Sequence, residues 1–377
     1  MEISLLAFGL AFALAFANGT NDVSKAIATL VGSGITDYRS AIAWGTVWTM
    51  IGAASAAFVA SAMIKTFSHG LVQTGTIIGS DVALAVLSGA IVWILFASRT
   101  GLPVSTTHAL TGAIVGAGLV AFAGEGLIWS AIGKKIALPL LLSPFLAFAV
   151  SLFIHPTVRA LARKWDGACL CAMPASRALV AIDAQGGTRT LFQAASFGSP
   201  IMAVPSQCDR AGLRGLVVGL DTIHWLSSGL ASFARGTNDA PKIVAMLLLG
   251  STTAAWPSTS SQLAAFGGVA VAMGLGSYLG GLRVTEILAE KVTRMDHAEG
   301  LSANLTTSSL VLLSGSLGLP VSTTHISSSA IIGIGLLKGW KSVRWMTVRD
   351  MALAWVVTLP ASALLACIAY LILIRML

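Results

Sequence analysis

The chain has 377 residues, 55% of them hydrophobic and only 10% charged, with a mean hydropathy of +0.84. A soluble domain carries about a quarter charged residues, so this composition excludes an ordinary water-soluble fold and points to a polytopic membrane protein. The net charge of +8 is no argument for nucleic acid, because basic residues in a membrane protein report which loops face the cytoplasm.

Met1–Ala17 is apolar, lacks a basic leader region and runs directly into a polar motif, so it reads as a first span rather than a cleaved signal. Ala41–Ile64, Thr76–Ala97, Val104–Ala123 and Ile136–Ile154 follow as apolar runs. Each approaches the roughly 20 residues that a helix needs to cross the hydrocarbon core. Residues 158–215 form the one long hydrophilic stretch. Within it, two β-like runs flank Gly186-Gly187 and predict a hairpin. Cys169, Cys171 and Cys208 lie there too; without a recognised metal-site spacing they read first as reduced loop thiols, and a metal site or disulfide is the alternative. Cys367 falls in a predicted span as a small packing residue.

Internal repetition organises the rest. FANGTNDVSK at Phe16–Lys25 returns as FARGTNDAPK at Phe233–Lys242, and GLPVSTTH at Gly101–His108 returns unchanged at Gly318–His325, both at an offset of 217 residues. The predicted organisation is a first transmembrane repeat (1–157), a cytoplasmic insert (158–215) and a second transmembrane repeat (216–377). About five spans per repeat is an odd number, so the second repeat enters from the opposite face. The expected fold is therefore all-α with two inverted repeats and broken helices at mid-membrane. Sixteen of the 23 basic residues fall on connectors away from the N-terminus, against four on its own side. That bias puts the insert in the cytoplasm and both termini outside, in a cell (inner) membrane.

The motifs carry the chemistry. Asn and Asp are costly inside a bilayer unless paired or solvated. Thr20, Asn21 and Asp22, and their copies Thr237, Asn238 and Asp239, offer hydroxyl, amide and carboxylate oxygens suited to sodium. Gly19 and Gly236 would let the backbone unwind there. In GLPVSTTH, Gly-Leu-Pro ends one helix and Pro opens the next. Ser105, Thr106, Thr107 and Ser322, Thr323, Thr324 then sit at helix N-termini, where free N–H groups and the positive dipole end favour an anion. Plain helix capping is the competing reading for both motifs. His108 and His325 read first as packing residues and next as support for the site. Lys25 and Lys242 either neutralise the nearby carboxylate or attract the anion.

These paired motifs resemble the inorganic phosphate transporter (PiT) family, whose members carry GANDVANA-like signatures in both halves. The resemblance covers both repeats and excludes the insert. It implies an inverted-repeat bundle that binds phosphate near the midplane and couples its import to sodium or protons, with no cofactor and no transition metal. It further implies that Asp22 and Asp239 with their Asn neighbours serve coupling ions and substrate, while the Ser-Thr-Thr triplets hold phosphate. Two residues depart from the family pattern: Arg235 replaces an Asn or His, and Asn304 stands where many members have Glu. Arg235 would strengthen anion attraction or pair with Asp239.

Phosphate keeps a proton at neutral pH and can donate a hydrogen bond to a carboxylate, whereas sulfate cannot. Two motif Asp residues thus favour phosphate over sulfate as the alternative oxyanion. A membrane enzyme acting on phosphorylated lipid is the alternative of another class, and a passive anion channel is the third. Neither requires duplicated motifs. Partners beyond the substrate are the lipid bilayer and, as bundles of this kind often pair, a second copy of the chain.

Overall fold

A computed structural model describes residues 2–68, 70–71, 73, 79–165, 169–171, 174–175, 178–182, 188–192, 196–197, 201–203, 217–249 and 258–376. In the first half, α1 (Glu2–Asp22) and α2 (Ser24–Gly32) are separated only at Val23. They are followed by α3 (Tyr38–Val59), α4 (Ser61–Ser68), α5 (Ser80–Thr100), α6 (Thr106–Phe122) and α7 (Leu138–Trp165). A π-helical stretch, Ile132–Ala137, leads into α7. The second half contains α8 (Leu220–Leu249), α9 (Thr259–Gly280), α10 (Leu282–Glu290), α11 (His297–Ser316), α12 (Thr323–Leu337) and α13 (Trp345–Met376). The sequence offset recurs in the elements, since α11 and α12 begin 217 residues after α5 and α6.

The halves interlock. α1 packs on α9 as α8 packs on α3, α6 on α13 as α12 on α7, and α5 on α13 as α11 on α7. Each pair becomes the other when corresponding helices are exchanged. Small residues let these helices approach closely, the usual basis of helix association in lipid. At Gly19 a Cβ would collide with the Met273 carbonyl of α9, and at Gly236 with the Thr49 carbonyl of α3. The motif glycines are therefore contact points between halves. The expected unwinding at them does not occur: α1 runs helical through Gly19 and α8 through Gly236. The first copy breaks only after Asp22, where Val23 N reaches Gly19 O at 3.5 Å. The second continues in spite of Pro241.

Polarity is arranged for lipid. Leu5, Phe58, Phe145, Phe153 and Val356 point outward, while Asp22, Lys25, Arg235, Asp239 and Lys242 are buried. Among the described residues, α3, α5, Trp129–Arg163, α9 and Trp345–Arg375 are long and apolar enough to cross a membrane. α6 and α12, expected as crossings, have 17 and 15 residues. At 1.5 Å per residue they reach about 25 Å or less, short of the roughly 30 Å core. They start at the GLPVS breaks and so place their N-termini inside the bundle.

In the insert, β1 (Cys169–Cys171) pairs antiparallel with β6 (Ile201–Ala203) and β7 (Val217–Val218), and β2 (Pro174–Ala175) pairs with β5 (Ser196–Phe197). The predicted hairpin is β3 (Ala178–Ile182) against β4 (Thr188–Phe192), with Val180 opposite Thr190. Gly186-Gly187 and Cys208 lie outside the described residues.

Candidate functional site

The two helix breaks are built alike. Gly101 and Gly318 adopt φ of 78° and 67°, a left-handed conformation that suits glycine and closes α5 and α11. Ser105 and Ser322 then cap α6 and α12, their hydroxyls accepting from His108 N at 3.2 Å and His325 N at 3.1 Å. The capping reading thus holds for both serines. The threonines do something else. Thr107 donates to the Val321 carbonyl at 3.2 Å, and Thr324 donates to the Val104 carbonyl at 2.7 Å. Each break is tied to its counterpart, so the two Ser-Thr-Thr turns meet at one place. Thr106 accepts from Asn18 Nδ2 at 2.8 Å, and Thr323 is buried beside its turn.

The carboxylates converge on the same place. Asn18 Nδ2 lies 3.0 Å from Asp22 Oδ2 and 3.2 Å from Asp239 Oδ2, bridging residues from the two halves. Lys25 pairs with Asp22 and donates to Val104 O at 2.9 Å. Lys242 pairs with Asp239 at 3.1 Å and reaches Thr107 Oγ1 at 2.7 Å and Val321 O at 3.3 Å. Of the two roles foreseen for these lysines, neutralising the carboxylate is the one the geometry displays. The i, i+3 spacing puts Lys242 above Asp239 on one face of α8, and Lys25 reaches back to Asp22 across the break at Val23.

The expected Thr-Asn-Asp cation triplets do not converge as sets. Thr20 and Thr237 donate to carbonyls of their own helices, Ala17 O at 2.7 Å and Ala234 O at 2.8 Å. Thr20 also contacts Ser98 Oγ. Asn21 braces the first break, donating to Leu102 O at 2.9 Å and accepting from Val104 N at 3.1 Å. Asn238 donates to Asp239 Oδ1 at 2.9 Å, and its own Oδ1 has no partner among the described residues. A helix places successive side chains about 100° apart, so three residues in a row cannot all face one ion while the helix stays wound.

His108 and His325 meet ring to ring, with centroids 4.6 Å apart, and Trp355 lies 4.2 Å beyond His325. They floor an apolar cleft of about 630 Å³ lined by Leu140, Phe145 and Trp355. Packing is the role this placement supports. Arg235 forms no ion pair among the described residues. Its Nη2 donates to Thr49 Oγ1 and, at 3.4 Å, to Ser277 Oγ, while Nε and Nη1 have no partner. Pairing of Arg235 with Asp239 is thus not what the structure has. Asn304 is buried with Thr29 and Ser227, at 3.1 and 3.3 Å. Sequence reasoning missed Asn18 as the bridge. Its signal was available: it holds the motif position, one before Gly, where the second copy has Arg235.

Comparison with known proteins agrees with this architecture. The sequence matches the phosphate transporter family over residues 18–366. It is 30% identical to the "Probable low-affinity inorganic phosphate transporter" of Bacillus subtilis, covering 96% of this chain and 95% of that one. A protein of the same name from Mycobacterium tuberculosis is also 30% identical, covering 96% of this chain and 75% of the relative. A solved structure described as "The sodium-dependent phosphate transporter" shares the fold over 100% of both chains, with a TM-score of 0.76 at 23% identity. With its duplicated motifs joined at one buried centre and a match spanning both halves, the chain belongs to the phosphate transporter family.

Proposed function

We propose that the chain is a secondary active importer of inorganic phosphate that works by alternating access of two inverted repeats, driven by a sodium or proton gradient. The observation that carries this reading is the union of two motif carboxylates, from opposite halves, under one amide donor. Asn18 reaches both Asp22 and Asp239 and connects them through Thr106 to a helix N-terminus. Phosphate is held between the N-termini of α6 and α12, where Thr106, Thr323 and the backbone N–H groups of each first turn act as donors, while Thr107 and Thr324 use their hydroxyl hydrogens to tie the two breaks together. Asp22 and Asp239 accept hydrogen bonds from the P–O–H that phosphate retains and sulfate lacks.

The exchange symmetry of the packing supports a rocking transporter rather than an enzyme, because two equivalent half-sites give two equivalent ways of opening. The bias of basic residues supports an orientation with the insert in the cytoplasm and both termini outside. The family match and the names of its relatives favour phosphate over sulfate.

The test is uptake of labelled phosphate and labelled sulfate into proteoliposomes under an imposed sodium or proton gradient. Gradient-driven accumulation of phosphate, competed by arsenate, is expected. Faster sulfate than phosphate uptake would make the chain a sulfate permease, and equal uptake without a gradient would make it a channel. Release of phosphate from phosphorylated lipid would make it an enzyme.

A further inference from the structure

The oxygens that surround Lys25 Nζ and Lys242 Nζ are of the kind that hold a small hard cation. Each ammonium sits against a carboxylate oxygen and the carbonyl of a helix break, Asp22 Oδ1 with Val104 O and Asp239 Oδ1 with Val321 O. The second also has the Thr107 hydroxyl at 2.7 Å. Both side chains are at most 2% exposed. An ammonium in a buried ring of oxygens does the electrostatic work of a bound monovalent ion, and it is covalently tethered there.

Charge counting points the same way. Among the described residues, the ionisable groups at this centre are Asp22 and Asp239 against Lys25, Lys242 and Arg235, all buried. His108 and His325 face each other and the apolar cleft. Two negative charges against three positive leave one buried positive charge in excess. Among the described residues, Arg235, with Nε and Nη1 unpartnered, is the cation without a counter-ion. An uncompensated buried charge is costly. A singly charged oxyanion would cancel it, with no need for a metal cation to enter alongside.

We propose that Lys25 and Lys242 fill the two cation seats beside the motif carboxylates, so that phosphate binds and crosses without sodium. This rests on the phosphate-import reading above and restricts its driving ion to the proton. The experiment uses the full chain in proteoliposomes and measures labelled phosphate uptake under a fixed proton gradient, with sodium or choline as the only other external cation. Wild-type uptake is expected to be the same in both, within about twofold. Lys242→Asn removes the tethered charge and should lower uptake in choline by about a hundred-fold, the scale for leaving a buried partner unpaired. Sodium should then restore it at least in part. Lys242→Arg keeps a cation in the seat and should remain indifferent to sodium.

Parallel thermal unfolding of the same proteins guards against misfolded variants. Sodium, relative to choline, should raise the Tm of Lys242→Asn and Lys25→Asn but not that of the wild type. Wild-type uptake that collapses in choline, or asparagine variants that gain neither uptake nor Tm from sodium, would overturn the proposal. If no gradient drives phosphate uptake at all, the import reading fails. The seat is then judged by the Tm measurement alone: a sodium shift confined to the asparagine variants upholds it, and one already present in the wild type overturns it.

Discussion

Replacing Asn18 with Ala removes the amide donor that reaches the carboxylates of both halves. The amide nitrogen has two hydrogens and three acceptors, Asp22 Oδ2 at 3.0 Å, Asp239 Oδ2 at 3.2 Å and Thr106 Oγ1 at 2.8 Å. Two of those acceptors are anionic, and a hydrogen bond to a charged group contributes about 1.5–3 kcal/mol. Loss of both is worth roughly 3–6 kcal/mol before water admitted to the vacated volume offsets part of it. Since about 1.4 kcal/mol is a factor of ten, a residual loss of about 3 kcal/mol lowers uptake efficiency about a hundred-fold. The measurement is the initial rate of phosphate uptake against phosphate concentration, with Tm measured on the same preparation. Asn18→Gln, which keeps the amide but displaces it by one methylene, should fall between wild type and Asn18→Ala. Uptake by Asn18→Ala within about threefold of wild type, in a folded protein, would show that the carboxylates need no common donor, and the site would have to be redrawn.

Asp22→Asn and Asp239→Asn should each abolish gradient-driven uptake while leaving a folded protein by size-exclusion profile; normal transport in either variant removes that residue from the site. Thr106→Ala, beside Asn18, should raise the KM for phosphate by about tenfold, the loss of roughly one hydrogen bond to a charged ligand, and an unchanged KM would take Thr106 out of the phosphate site. Gly236→Ala drives a Cβ into the Thr49 carbonyl, so overpacking should cost about 1–3 kcal/mol and lower the Tm. Gly267→Ala on α9 meets nothing within 4 Å and should hold or raise the Tm through helix propensity, by up to about 1 kcal/mol. The reverse order of these two glycine variants would refute the close-approach reading of the motif.

The parts of the site legible in the sequence are those written twice. Duplication at one offset located Asp22 with Asp239 and Ser105–Thr107 with Ser322–Thr324, and Gly-Leu-Pro fixed where α6 and α12 begin. Local chemistry was enough there, because Gly at positive φ and a Ser cap are short-range effects. Contacts between halves were not legible. Whether Gly19 unwinds a helix or receives a neighbouring one depends on Met273, far away in sequence, and glycine serves either purpose. Lys25 could have pointed to its Asp or to an anion, since both lie within reach of a long flexible side chain. The bridging role of Asn18 was hidden for a different reason. Reading by repetition draws attention to identical positions, and this one differs between the copies.

That difference bears on how the halves move. Val104 O accepts from Lys25 of its own half and Thr324 of the other, and Val321 O accepts from Lys242 of its own half and Thr107 of the other. The two breaks thus form a closed ring of bonds that is the same under exchange of halves. Asn18 and Arg235, by contrast, are exchanged for something different in charge, a neutral amide bonded to both carboxylates in one half and a partly unsatisfied guanidinium in the other. On the proposed reading, an anion at the centre would be drawn toward α8 and away from α1. Opening toward one face and opening toward the other, which perfect symmetry would make equal in energy, then differ by the interaction of the substrate with Arg235. Binding energy available to only one of two states is what shifts their populations. If the import reading holds, Arg235 is the residue expected to bias which way the loaded protein opens.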